Sequence, residues 1–81
     1  MITIYGRTEP KCMFCEQAKR MANNAGYEFE FKDLTKNEWN KEELEAKYST
    51  VIRSVPFITM GDNIIGGASH FNDFIRRNEV N

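Results

Sequence analysis

KCMFCEQAKR, residues 11–20, holds both cysteines of the chain, Cys12 and Cys15, three positions apart, with Lys11 before them and Lys19 and Arg20 after. Two sulfurs one helical turn apart fit three chemistries: half of a zinc site, a small structural disulfide, or a pair that cycles between dithiol and disulfide. The flanking sequence has to separate them.

On the amino-terminal side, Ile2-Thr3-Ile4-Tyr5 is β-branched and aromatic and ends at Gly6, which predicts a strand. Arg7 to Lys11 reads as a loop around Pro10. From Met13 to Ala25 the small and apolar residues Cys15, Ala18, Met21, Ala22 and Ala25 recur at spacings of three and four, predicting an amphipathic helix stopped by Gly26. Tyr27-Glu28-Phe29-Glu30-Phe31-Lys32 alternates aromatic with charged residues and predicts a second strand near a sheet edge. The cysteines thus fall where a loop after the first strand runs into the first helix.

Further along, Thr35-Lys36-Asn37-Glu38 fits a capping box for a second helix carrying Trp39, Leu44 and Tyr48. Val55 to Met60 and Ile64-Ile65 read as two short strands joined by the hairpin signal Gly61-Asp62-Asn63. Gly66-Gly67 turns the chain, and Ser69 is positioned to cap a last helix with Phe71, Phe74 and Ile75 on its apolar side. The order β-α-β-α-β-β-α predicts a single α/β domain over residues 1–81. Its first strand–helix–strand unit should be parallel and right-handed, its hairpin antiparallel, and its helices packed on a four-stranded mixed sheet.

Hydrophobic content of 41% and charged content of 28% are those of a globular chain, and a net charge of −1 excludes binding driven by phosphate contacts. No apolar run approaches membrane-spanning length, and MITIYGRTEP lacks a charged-then-apolar leader pattern, so a cytoplasmic location is expected. Cytosolic thiols are kept reduced, and a bridge between residues three apart removes little unfolded-state entropy, which weighs against a structural disulfide. A closed zinc site needs four ligands, whereas the chain offers two cysteines and His70, itself read as an exposed residue of the last helix. A reactive pair fits best. Unpaired N–H groups and the dipole at a helix start favour a thiolate, and Lys11 and Arg7 add positive charge. Cys12 then reads as the exposed nucleophile, with Cys15 one turn deeper.

With these residues in place, the chain resembles a glutaredoxin of the thioredoxin-like family. The likeness rests on Tyr5 closing the first strand, Cys12-Met13-Phe14-Cys15 opening the first helix, Ser54-Val55-Pro56 before the third strand, and Gly66-Gly67 before the last helix. The short chain and the Lys-Cys-x-aromatic-Cys wording are most similar to the small dithiol glutaredoxins encoded by bacteriophages. The resemblance implies that Cys12 attacks a substrate disulfide, Cys15 resolves it, and Pro56 is the family's cis-proline. It implies a glutathione site in which Val55 pairs with the cysteinyl backbone, Gly67, Ala68 and Ser69 receive the γ-glutamyl carboxylate, Phe14 lines the groove, and Lys11 adds charge. It further implies glutathione as reductant with no tightly bound cofactor and no metal. The implied partners are disulfide-containing proteins, ribonucleotide reductase among them, met by a monomer. The alternative within the family is a glutaredoxin that holds a [2Fe–2S] cluster between two subunits with little disulfide turnover. The chain departs from the family pattern in three places: Met13 stands where proline is common, Glu9 where lysine is common, and Ser69-His70 where an aspartate is usual.

Overall fold

The computed structural model describes residues 1–79. Strand β1 (Ile2–Gly6) is followed by α1 (Met13–Asn24), β2 (Phe29–Asp33), a short 3-10 turn (Leu34–Lys36), α2 (Lys41–Tyr48), β3 (Phe57–Met60), β4 (Asn63–Gly66) and α3 (Ala68–Glu79). The sheet order is β2-β1-β3-β4. β1 runs parallel to β2 with Ile2 opposite Phe29 and Gly6 opposite Asp33, and antiparallel to β3 with Ile2 opposite Met60. This is the four-stranded mixed sheet expected from the order of elements, in the thioredoxin-like arrangement that the resemblance implies. β2 lies at an edge, as its half-wet alternation requires.

The period of two along the strands divides the core. Ile2, Ile4 and Ile58 face Ala18 and Ala22 of α1 and Phe71 and Ile75 of α3, all buried. On the opposite face Leu44 and Ile52 pack against Phe57, with Tyr5, Trp39 and Tyr48 around them. Tyr5 meets Trp39 edge to face, with ring centroids 5.6 Å apart. β1 is therefore clamped from both sides, which makes its carboxyl end a rigid platform for the loop that follows.

Helix α1 stops as its sequence dictates. Gly26 takes φ 80°, and the Tyr27 N–H returns to Ala22 O at 3.0 Å while the Gly26 N–H bonds Asn23 O at 3.1 Å. That pairing is a Schellman motif, which needs a left-handed residue.

Two caps differ from expectation. Thr35 does not start α2. The buried Asp33 carboxylate takes the Thr35 N–H at 2.9 Å, and Glu38 turns back to accept the Asp33 N–H at 2.8 Å, so the reciprocal pairing forms around Asp33 instead. Helix α2 begins six residues later than Thr35, at Lys41, where Asn40 Oδ1 accepts the Glu43 N–H at 3.1 Å. Trp39 accordingly precedes the helix, and its indole N–H donates to Gly6 O at 2.9 Å. Nor does Ser69 cap α3: it lies inside the first turn, and Gly67 O accepts the first helical bond, from the Phe71 N–H at 2.9 Å. The strands β2 and β3 each begin two residues later than their sequence patterns suggested, at Phe29 and Phe57.

Candidate active site

Cys12 is the N-cap of α1, with extended φ −119° and ψ 105°, and its sulfur accepts the Cys15 N–H at 3.2 Å. The sulfur thus occupies the place where a serine or aspartate oxygen would satisfy an orphan N–H. Cys12 and Cys15 are joined as a disulfide with their Cα atoms 5.2 Å apart. Cys12 is more enclosed than a reading as an exposed nucleophile requires, at 6% exposure against 0% for Cys15. The cover comes from the loop before β3, whose Val55 O lies 3.9 Å from Cys12 Sγ. Cys12 remains the sulfur nearer the surface.

The depth of Cys15 has a backbone cause. A Cβ added at Gly6 would stand 2.8 Å from Cys15 Sγ and 2.9 Å from Phe31 Cε1, so only glycine leaves room for that sulfur against β1. From the sequence Gly6 marks only a strand end. Its role depends on a contact nine residues away in sequence that no local pattern announces.

Beside the disulfide runs a groove of about 690 Å³ between the Phe14–Met21 face of α1, the Ser54–Pro56 segment and the start of α3. Phe14, Val55, Pro56, Gly67, Ala68 and Ser69 all line it. The Val55–Pro56 bond is cis, as is Glu9–Pro10. Lys11 is the exception among the residues expected to bind glutathione: it is exposed and does not line the groove. Five further lining residues were not expected there: Gln17, Met21, Ser54, His70 and Asn72. Gln17 and Met21 follow Phe14 at spacings of three and four on one helix face, a signal that was available in the sequence. At the groove floor Gly67 lies open, since a Cβ there would meet nothing closer than Pro56 O at 3.8 Å. Gly66 differs: it holds φ 118° with the His70 ring packed over it.

Among the described residues His70 is the only titratable side chain lining the groove. Phe14, 63% exposed, gives the α1 wall of the groove an apolar character, and Met13, equally exposed, follows Cys12 outside the lining. Among the described residues no three His, Cys, Asp or Glu side chains are grouped as metal ligands, and no helix is long and apolar enough to cross a membrane.

The model of the glutaredoxin family matches residues 2–65. The chain belongs to the glutaredoxin family. A search of curated protein sequences returned no match. Among solved structures, the glutaredoxin-like protein NrdH-redoxin from Escherichia coli, described as having a thioredoxin-like activity profile, is 32% identical. That alignment covers 94% of this chain and 91% of that one with a TM-score of 0.67. Oxidised E. coli glutaredoxin is 26% identical over 95% of this chain and 94% of that one, with a TM-score of 0.77. A buckwheat glutaredoxin–glutathione complex, 18% identical over 98% of this chain and 71% of that one at TM-score 0.76, shares the fold. With a Cys-x-x-Cys pair at disulfide distance in a glutaredoxin fold, the protein is a thiol–disulfide oxidoreductase.

Proposed function

We propose that the protein is a dithiol glutaredoxin in which Cys12 is the nucleophile, Cys15 the resolving thiol, and glutathione the reductant bound in the groove. The observation that carries this reading is the seat of Cys12 Sγ, 3.2 Å from the Cys15 N–H and 3.9 Å from Val55 O at the edge of the groove. A thiolate at that N-cap is stabilised by the helix start. It attacks one sulfur of a substrate disulfide; that bond breaks, and the departing thiolate takes up a proton. Cys15 then gives up its proton and attacks Cys12 Sγ, which releases the second substrate thiol and leaves the Cys12–Cys15 disulfide. Two glutathione thiols restore the dithiol and leave as glutathione disulfide. Val55 offers its backbone beside the sulfur as a strand-like partner for the cysteinyl part of glutathione, and the open Gly67 floor and start of α3 suit a carboxylate.

The test is a glutathione-coupled assay on a low-molecular-weight mixed disulfide. Cys12→Ser should abolish turnover, whereas Cys15→Ser should spare it and lose protein-disulfide reduction. Turnover by Cys12→Ser would overturn the assignment.

One observation favours a second reading. Among the described residues the groove lining holds no lysine, arginine or carboxylate, although glutathione carries two carboxylates and an ammonium. NrdH-redoxin, with its thioredoxin-like profile, is 32% identical. On this reading the groove serves an extended segment of a protein disulfide, and glutathione is a poor reductant. Ribonucleotide reductase is the protein substrate we propose, with the protein acting in the cytoplasm as a monomer. Cys15→Ser should stall the mixed disulfide and trap that enzyme from a cell extract; a trap that captured other proteins but no reductase subunit would remove it.

A further inference from the structure

The loop from Arg7 to Lys11 carries the chain from β1 to Cys12, and side chains hold it one residue after another. The Asp33 carboxylate accepts the Thr8 hydroxyl at 2.6 Å and the Thr8 N–H at 3.1 Å. Thr35 grips the next residue by both of its backbone groups: its hydroxyl oxygen accepts the Glu9 N–H at 3.0 Å and its hydroxyl donates to Glu9 O at 2.9 Å. Arg7 Nε closes the loop by donating to Pro10 O at 2.8 Å. The anchor is itself rigid. Asp33 is 3% exposed, sits opposite Gly6 in the β1–β2 register, and has its N–H bonded to Glu38.

Nothing in ordinary strand or helix pairing requires these contacts. A Thr-Lys turn after an edge strand has no need to clamp a loop 25 or 26 residues away. What lies next along the clamped loop is Lys11 and then Cys12. The sulfur can accept the Cys15 N–H only while Cys12 keeps its extended, non-helical dihedrals. The helix fixes those dihedrals from one side and the loop from the other.

We propose that Thr35, through Glu9, and Asp33, through Thr8, are positioning residues that hold Cys12 Sγ over the start of α1 and so set its reactivity. The inference rests on the reading of Cys12 as the nucleophile. It separates from a charge effect by sign. Removing the Asp33 carboxylate would, by charge alone, ease Cys12 ionisation and speed its alkylation; loosening the brace should slow it. Thr35→Val changes no charge and is isosteric at an exposed position, so it reads the brace alone.

The experiment measures iodoacetamide alkylation of the reduced protein across pH and single-turnover reduction of insulin disulfides. In Thr35→Val we expect alkylation about threefold slower near pH 6, with the plateau of the fully ionised thiol unchanged, the signature of lost thiolate stabilisation. Insulin reduction should fall in step. Thr8→Val should move both rates the same way, and Thr35→Ser, which keeps the hydroxyl, should restore them. Tyr48→Phe, which removes the hydrogen bond to Gly61 O away from this loop, should lower stability and leave the profile in place. Wild-type profiles in both Thr35→Val and Thr8→Val would overturn the proposal, as would an equal displacement in Tyr48→Phe. Faster alkylation in Asp33→Asn would reassign that residue to a charge effect and overturn its part. Alkylation of Cys12→Ser tests the underlying reading separately: an acidic thiol that persisted there would belong to Cys15, whatever the brace does.

Discussion

Gly6 and Cys15 share one space: a Cβ on Gly6 would lie 2.8 Å from Cys15 Sγ, closer than real Cβ contacts come. Phe31 closes the same space at 2.9 Å, and Trp39 holds the Gly6 carbonyl from the other face of the sheet. Gly6 is held opposite Asp33 of β2, and the residues before it pair with β3 as well, so its backbone has little freedom to move aside. Gly6→Ala should therefore cost about 1–3 kcal/mol, the usual price of overpacking. Urea unfolding would measure it. Phe31→Leu combined with Gly6→Ala should recover part of the loss by opening one wall; if the pair is no more stable than Gly6→Ala alone, the sulfur contact is the dominant clash.

Asp33 ties stability to acid. Burial pushes its carboxyl up, but hydrogen bonds from Thr8 and Thr35 outweigh burial and hold it below its ordinary value of 3.8. A carboxyl whose folded value is depressed stabilises the fold fully above its unfolded pKa and loses that contribution as pH falls through the lower folded value. The stability difference between wild type and Asp33→Asn should thus be widest near neutrality and narrow below pH 3.8. Urea midpoints of both proteins from pH 7 downward would show it; a gap that stayed constant through the acid range would mean the hydrogen bonds survive protonation.

The same residue explains what could be read from the sequence. The cysteine pair, the strand–helix–strand unit around it and the hairpin were legible because each is a local pattern: alternation, three–four spacing, a glycine stop. The capping box read at Thr35 and Glu38 was a local pattern too, but it caps no helix: Asp33 sits two residues upstream, accepts from Thr8 in the facing loop, and captures both ends of the box. Asn40 and Glu43 offer the same box spacing five residues on and start the helix in fact. Buried long-range partners decided between two equal signals. The Gly6–Cys15 contact and the Thr35–Glu9 clamp were beyond reach because their partners are also distant in sequence.

Gly66 and Gly67, adjacent in sequence, should respond differently to alanine. Gly66 holds φ 118° under the His70 ring, so Gly66→Ala combines backbone strain with a clash and should cost roughly 1–3 kcal/mol. At Gly67 a Cβ meets only Pro56 O at an ordinary 3.8 Å, but it projects into the groove. Gly67→Ala should leave thermal stability within about 1 kcal/mol, the modest loss of glycine at a helix start. Its effect should appear in the KM for a groove ligand. A stability loss at Gly67 equal to that at Gly66 would contradict this division.

Salt dependence can decide what the groove recognises. Among the described residues its lining offers Gln17, Ser54, Ser69 and Asn72 as neutral polar groups and His70 as the only titratable one, while Lys11 stands outside. Contacts with neutral groups are little screened, whereas an exposed ion pair weakens as the Debye length falls from about 10 Å at 0.1 M salt to about 3 Å at 1 M. If glutathione binds through the lining alone, its affinity should change less than about twofold over that range. Gln17→Lys would then supply a missing partner for a carboxylate and tighten binding by about two- to fivefold at low salt, as expected of an exposed pair, with the gain erased at 1 M. A steep salt dependence in the wild type, abolished by Lys11→Gln, would instead place Lys11 in the recognition of glutathione despite its position off the groove. Weak, salt-independent binding together with efficient reduction of protein disulfides would favour the peptide reading of the groove over the glutathione one.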